Sequence, residues 1–171
     1  MSKSVNKKRI CLFALVIAYM VIIFAFSAQT GVESGNLSEG ITVGVCRIFL
    51  KNFVNLDVEQ QKIAIDRVDD VIRTFAHGTE FAVLAMTIFG LLCTYSKVWV
   101  VPLFKSTRWA LATLFASFYA VTDEIHQIFV EGRACDVFDW SVDTIGAAVG
   151  AGVAVVISVC LLKWRNKNGL S

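Results

Sequence analysis

The chain holds two histidines, and each has a carboxylate one helical turn away. His77 and Glu80 are three residues apart, as are Asp123 and His126, and residues at that spacing share a face of a helix. Glu124 stands beside the second pair, and Asp139 and Asp143, four apart, share a stripe further on. An imidazole next to a carboxylate is an acid/base pair whose two protonation equilibria burial can separate, so Glu124 with His126, and His77 with Glu80, are candidate catalytic groups, with Asp139 orienting them. The same residue types are divalent-metal ligands, and His77, Glu80, Asp123 and His126 on facing helices could bind one, although HxxE and DxxH are not recognised metal signatures. Arg133 could hold a substrate phosphate or carboxylate through paired hydrogen bonds. Arg73 lies one turn before His77, while Ser27, Gln29 and Gln127 bring a hydroxyl and two amides to the same region.

Each of these residues has a plainer reading. Asp123, Glu124, Glu131 and Asp136 taken singly are a solvated loop, and that is the preferred reading for Glu131, before Gly132 in a turn, and for Asp136. His126 alone is a satisfied interfacial histidine, and Ser27 with Gln29 is a helix stop before Gly31. The joint clustering of His77, Glu80, Glu124, His126, Asp139 and Asp143 is what favours chemistry, because ionisable groups in membrane segments normally face a bundle interior or a polar cleft rather than lipid.

The elements that must position these groups are those of a membrane protein. Of 171 residues, 56% are hydrophobic, with a mean hydropathy of +0.65 and a single proline. We expect one all-α domain over residues 1–171 with four transmembrane helices, at about 10–26, 78–96, 103–122 and 141–162, since a crossing takes roughly 17 to 25 mainly apolar residues. The third is the weakest, with only Trp109 to Thr122 uncharged and Lys105 and Arg108 left to snorkel. The basic N-terminus followed by an apolar run reads as a retained signal anchor rather than a cleaved leader. Lys and Arg cluster in the N-terminal tail, the 97–108 connection and the tail after Leu162, which puts both termini in the cytoplasm and the acidic 123–140 connection outside. Trp99, Trp109 and Trp164 fit interfacial anchors on the cytoplasmic side.

Between the first two crossings, Ile41, Val45, Ile48, Phe49 and Phe53 recur at helical spacing, predicting an amphipathic helix on the outer surface or over the bundle mouth. A second helix starts at Asp57, with Gln60 three residues on, and carries Ala64, Val68, Val71 and Phe75 on one face before running into the second crossing. Gly146 and Gly150 continue the Asp139 and Asp143 stripe and admit a neighbouring helix closely. The five cysteines form no CxxC pair; three lie in apolar runs, and Cys46 with Cys135 could form a disulfide on the outer side.

Taken together, FSAQTG after the first crossing, RTFAHGTEFAVLA opening the second, and TDEIHQIFVEGRACDVFDWSVDTIGAAVG leading into the fourth resemble the VanZ-like family of bacterial membrane proteins. The resemblance covers most of the chain and is most specific in its last block. The family pattern matches Ser27, Gln29, Arg73, His77, Glu80, Asp123, Glu124, His126, Gln127, Arg133, Asp139, Gly146 and Gly150. It departs at Thr74, Phe81, Asp136 and Asp143, where Lys, Tyr, Ser and Asn are common. The resemblance implies a four-helix plasma-membrane protein, with a named member linked to low-level teicoplanin resistance.

The residues and the resemblance together lead us to expect an extracytoplasmic-face hydrolase or transferase acting on a cell-envelope substrate such as a cell-wall precursor or lipid-linked molecule. The alternative is a non-catalytic binding or assembly protein whose acidic cup takes a cation, a lipid headgroup or a glycopeptide-related ligand. A transporter is disfavoured because no charge or helix break sits at mid-depth of a crossing. The lipid bilayer is a necessary partner, and nothing in the charge pattern points to nucleic acid.

Overall fold

The computed structural model describes residues 3–95 and 105–169. Among the described residues there are five α-helices, α1 (Lys3–Ser27), α2 (Gly31–Phe49), α3 (Val58–Cys93), α4 (Lys105–Gln127) and α5 (Val137–Lys167), with one 3-10 turn at Phe53–Asn55 between α2 and α3. There is no strand among the described residues.

Local chemistry sets the helix starts. Thr30 and Glu33 form a reciprocal capping box at α2, the Thr30 hydroxyl accepting from the Glu33 N–H at 3.2 Å while the Glu33 carboxylate accepts from the Thr30 N–H at 3.0 Å. The sequence reading missed that box and placed one at Asp57. There the Asp57 carboxylate does cap α3, accepting from the Gln60 N–H at 2.8 Å. From that cap α3 runs unbroken for 36 residues, so the expected surface helix and second crossing are one element.

Small residues make the core. Ala112, Ala116 and Ala120, four apart on α4, are completely buried, as are Ala85 of α3 and Ala147 and Ala151 of α5. α1 lies against α3 and α4, burying Val16 and Ile23, and the Tyr119 hydroxyl donates to the Met20 carbonyl at 2.8 Å. At one end of the bundle Arg9 clamps α1 to the end of α3, donating to the Thr94 carbonyl at 2.9 Å and lying over the Tyr95 ring at 3.9 Å. α1 and α4 run parallel from that end, and α3 and α5 run antiparallel to them. The basic residues Lys7, Lys8, Arg108, Lys163 and Lys167 therefore gather at the Arg9 end, and every acid–histidine motif lies at the other. Lys97 and Trp99 lie outside the described residues.

Four crossings were expected, and among the described residues three helices, within Asn6–Ser27, Val58–Cys93 and Val137–Lys167, are long and apolar enough to cross a membrane. α4 falls short because its apolar run is bounded by Arg108 and by Asp123 with Glu124, and is interrupted by Thr113, Ser117 and Thr122. One of them, Ser117, serves packing: the Ser117 and Thr144 hydroxyls share a 2.7 Å hydrogen bond, and the Trp140 indole N–H donates to the Ser117 hydroxyl at 3.2 Å.

The amphipathic helix expected between the first two crossings is α2, and it ends at Phe49, so that Phe53 falls in the 3-10 turn. The α2 face against α3 is not the Ile41 stripe but Ser38, Thr42 and Cys46: both hydroxyls donate to Asp69 of α3, Thr42 at 2.9 Å, and Cys46 is buried beside the Ala64 carbonyl. Ile41, Ile48 and Phe49 point away and are exposed, while Phe53 is buried. Two hydroxyls donating to the part-buried Asp69 carboxylate hold this face of α2 against α3. Cys46 and Cys135 are free thiols, Cys46 buried under α2 and Cys135 exposed in the α4–α5 connection, so the disulfide considered between them is not formed.

Candidate functional site

The site rests on a backbone contact. Gly146 of α5 lies against the Gly78 carbonyl of α3 so closely that a Cβ there would overlap it, and Gly150 stands likewise against Ala82. The glycines thus admit a neighbour as their spacing predicted, and the neighbour is α3. Val142 packs on Gly78 and closes the floor. Above it, between the 70–77 stretch of α3, the first two turns of α5 and the end of α4, is a cavity of about 700 Å³.

The 128–136 connection forms its rim and is held by side chains. After α4 ends, Phe129 and Val130 donate back to the His126 and Gln127 carbonyls at 3.0 Å, and Gly132 takes the left-handed conformation (φ 73°) that its missing Cβ permits. The Glu124 carboxylate then accepts from the Asp136 N–H at 2.9 Å, fastening the end of α4 to the start of α5. Asp136, expected to be merely solvated, is the α5 N-cap, its carboxylate accepting from the Phe138 N–H at 2.8 Å. Glu131 is exposed, as its plainer reading had it.

The polar lining includes Arg73, Thr74 and His77 from α3, Glu124 and Gln127 from α4, Arg133 from the connection and Asp139 from α5. Thr74 donates to Asp139 at 3.2 Å across the α3–α5 gap. His77 has its Nδ1 3.8 Å from a Glu80 carboxylate oxygen, and Arg73 lies 4.0 Å from Asp69 on its own helix. Arg133 donates from Nε to the Gln29 carbonyl at 3.4 Å, tying the rim to the end of α1. Burial and then the neighbouring Arg73 charge push the Arg133 guanidinium below its usual range, and nearby acids act the other way; with a starting value so high it stays charged.

A second layer lies behind the wall. Gln127 donates to Asp123 at 3.2 Å inside the bundle. Asp143 is 1% exposed, with neither carboxylate oxygen hydrogen-bonded, and Ser27 is fully buried with its hydroxyl unpartnered. Asp123, Asp143, Glu80 and Ser27 do not line the cavity. His126 does not line it either: its ring stacks on Phe24 of α1, with centroids 4.4 Å apart and planes 30° apart. The two histidine rings therefore face different surroundings, His77 the cavity and His126 α1. Among the described residues no three His, Cys, Asp or Glu side chains converge as a metal site would require, and His77, Glu80, Asp123 and His126 do not form the ligand set considered for them.

Thr74 was not anticipated as a site residue. It stood out only as a departure from the family pattern, and its hydroxyl reaches Asp139 because the glycine contact draws α3 and α5 together.

The apolar helices and the polar cavity at one end of them define a helical membrane protein with a built-in site. The VanZ/LLP1 family profile matches residues 12–158, spanning α1 to most of α5, and the chain belongs to that family. No curated protein and no solved structure matches it.

Proposed function

We propose that this protein is a multi-pass protein of the bacterial plasma membrane, with α4 as a fourth crossing, both termini in the cytoplasm, and the cavity at the extracytoplasmic face. The basic residues at the Arg9 end support that orientation. The length of α3, about 54 Å at about 1.5 Å per residue, exceeds the roughly 30 Å of a bilayer core and leaves its first turns, and the cavity beside them, beyond the hydrocarbon.

The cavity is the reaction centre of a hydrolase or transferase acting on a lipid-linked or other cell-envelope substrate with an anionic group. The observation that carries this reading is the meeting of Arg73, His77, Glu124, Arg133 and Asp139, from three helices and a fastened connection, around one cavity. Arg73 and Arg133 neutralise the anionic group as charge develops on it. With Nδ1 directed at Glu80, the other nitrogen of His77 is free to exchange a proton with the attacking or leaving oxygen, and Asp139, steadied by Thr74, stabilises the imidazolium that results. Glu124 positions the rim through the Asp136 N–H rather than reacting itself. A role in glycopeptide resistance follows if the substrate is a target or precursor that teicoplanin meets outside the cell.

The test is teicoplanin susceptibility of cells producing wild-type, His77→Ala, Asp139→Ala and Arg133→Ala chains at equal level. Loss of any protective effect in all three, with Glu131→Ala unchanged, is expected. Protection that survives all three substitutions would end the reading.

A further inference from the structure

Two walls of the cavity differ in a way that specifies what fills it. On the polar wall Arg73 and Arg133 line the same space, close enough that the Arg73 charge acts on Arg133. Among the described residues Arg73 has one carboxylate at ion-pair distance, Asp69 at 4.0 Å, and Arg133 has none. Of the acids lining the cavity, Glu124 accepts from the Asp136 N–H, Asp136 from the Phe138 N–H and Asp139 from Thr74, and Asp70 is exposed. Two partly buried guanidiniums on one cavity, Arg133 with no carboxylate at ion-pair distance and Arg73 with one at the limit of it, make a site for a shared oxyanion.

The opposite wall is apolar and open. Phe75 of α3 is 69% exposed and Phe138 of α5 is 66% exposed, and Val71 and Ile145 continue the same two surfaces. Both helices are among those apolar enough to cross a membrane, and their contact at Gly78 and Gly146 closes the cavity below, so its apolar side opens sideways between them. Inorganic phosphate would gain nothing from Phe75 and Phe138, whereas each chain methylene buried there would add affinity.

We propose that the cavity takes a phosphate-bearing membrane lipid sideways from the bilayer, the phosphate on Arg73 and Arg133 and the chain in the groove between Phe75, Phe138 and Ile145. This rests on the reading of the cavity as the functional site and names its substrate class. The apolar wall faces the lipid from which the ligand comes, and the arginines stand where a headgroup phosphate would lie.

Native mass spectrometry of the purified full chain in nonionic detergent tests this, with phosphatidylglycerol, diacylglycerol and inorganic phosphate as probes. One phosphatidylglycerol should be retained saturably, and Arg133→Gln and Arg73→Gln should each weaken it roughly ten-fold. Ile145→Trp, at an exposed position that folding tolerates, should weaken lipid retention by narrowing the groove. Equal retention of diacylglycerol, competition by inorganic phosphate at the lipid's own concentration, or undiminished retention by the double arginine variant would each overturn the proposal. If lipid binding fails while His77→Ala still abolishes the cellular effect, the reaction centre stands and its substrate is soluble. If lipid binds and His77→Ala changes nothing in cells, the lipid site stands and the catalytic reading falls.

Discussion

At the scale of single residues, side chains of one type have been given different work by what packs around them. Of the two histidines, His77 faces the cavity beside Glu80 and His126 stacks on Phe24. Of the acids, Asp139 faces the cavity, Asp143 lies a turn deeper without a hydrogen bond, and Glu124 and Asp136 hold backbone N–H groups. Spacing in the sequence put the pairs on common helical faces, but it could not say toward which neighbour each face turns. That is decided by the glycine contact between α3 and α5 and by the packing of α1 on α4. The role given to Glu124 makes a definite prediction. Glu124→Ala, which removes the acceptor of the Asp136 N–H, should lower stability by about 1–3 kcal/mol and speed proteolysis of the 128–136 connection. Glu124→Gln keeps a carbonyl acceptor and should restore most of that stability, as thermal unfolding in detergent would show. If Gln behaved like Ala, the carboxylate's charge rather than its hydrogen bond would be the important property.

At the scale of elements, the starts and periods of helices were legible, whereas the choice of partner face in α2 was not. The Asp57 cap and the continuation of α3 into the membrane segment could be read from Asp57, Gln60 and the apolar spacing that follows. The docking of α2 could not, because Ser38 and Thr42 are ordinary polar residues until Asp69, a loop and a helix away, is known to receive both. The α3–α5 contact was half legible: Gly146 and Gly150 announced a close approach, and only the fold names Gly78 and Ala82 opposite them. Because a Cβ at either glycine meets backbone that cannot move alone, Gly146→Ala and Gly150→Ala should each destabilise by about 1–3 kcal/mol or more and widen the cavity floor. Gly40→Ala in α2, with nothing nearby to meet, should instead be neutral or stabilising by up to about 1 kcal/mol. Unfolding of the three variants in detergent checks the order, and equal effects at Gly40 and Gly146 would contradict the close contact.

At the scale of the whole molecule, among the described residues the Arg9 end carries Lys and Arg without acids, while the acids gather toward the cavity end, where Arg73 and Arg133 join them. The proposed orientation can be checked with Cys135, an exposed free thiol on the rim. In a chain retaining only that cysteine, a membrane-impermeant maleimide should label intact cells, while Asn168→Cys should react only after permeabilisation. The reverse pattern would put the cavity in the cytoplasm. Charge asymmetry and apolar length made the membrane class and the polar end legible at once, but not the reaction, since that depends on which groups line one cavity. The most direct measurement incubates the purified chain in detergent with membrane lipid extract and follows headgroup release or exchange by chromatography, comparing wild type with His77→Ala, Asp139→Ala and Glu131→Ala. The wild type and Glu131→Ala should convert a lipid, and His77→Ala should lose about 100-fold or more of the rate. Conversion by His77→Ala at the wild-type rate, or none by the wild type, would contradict a reaction centre at this cavity.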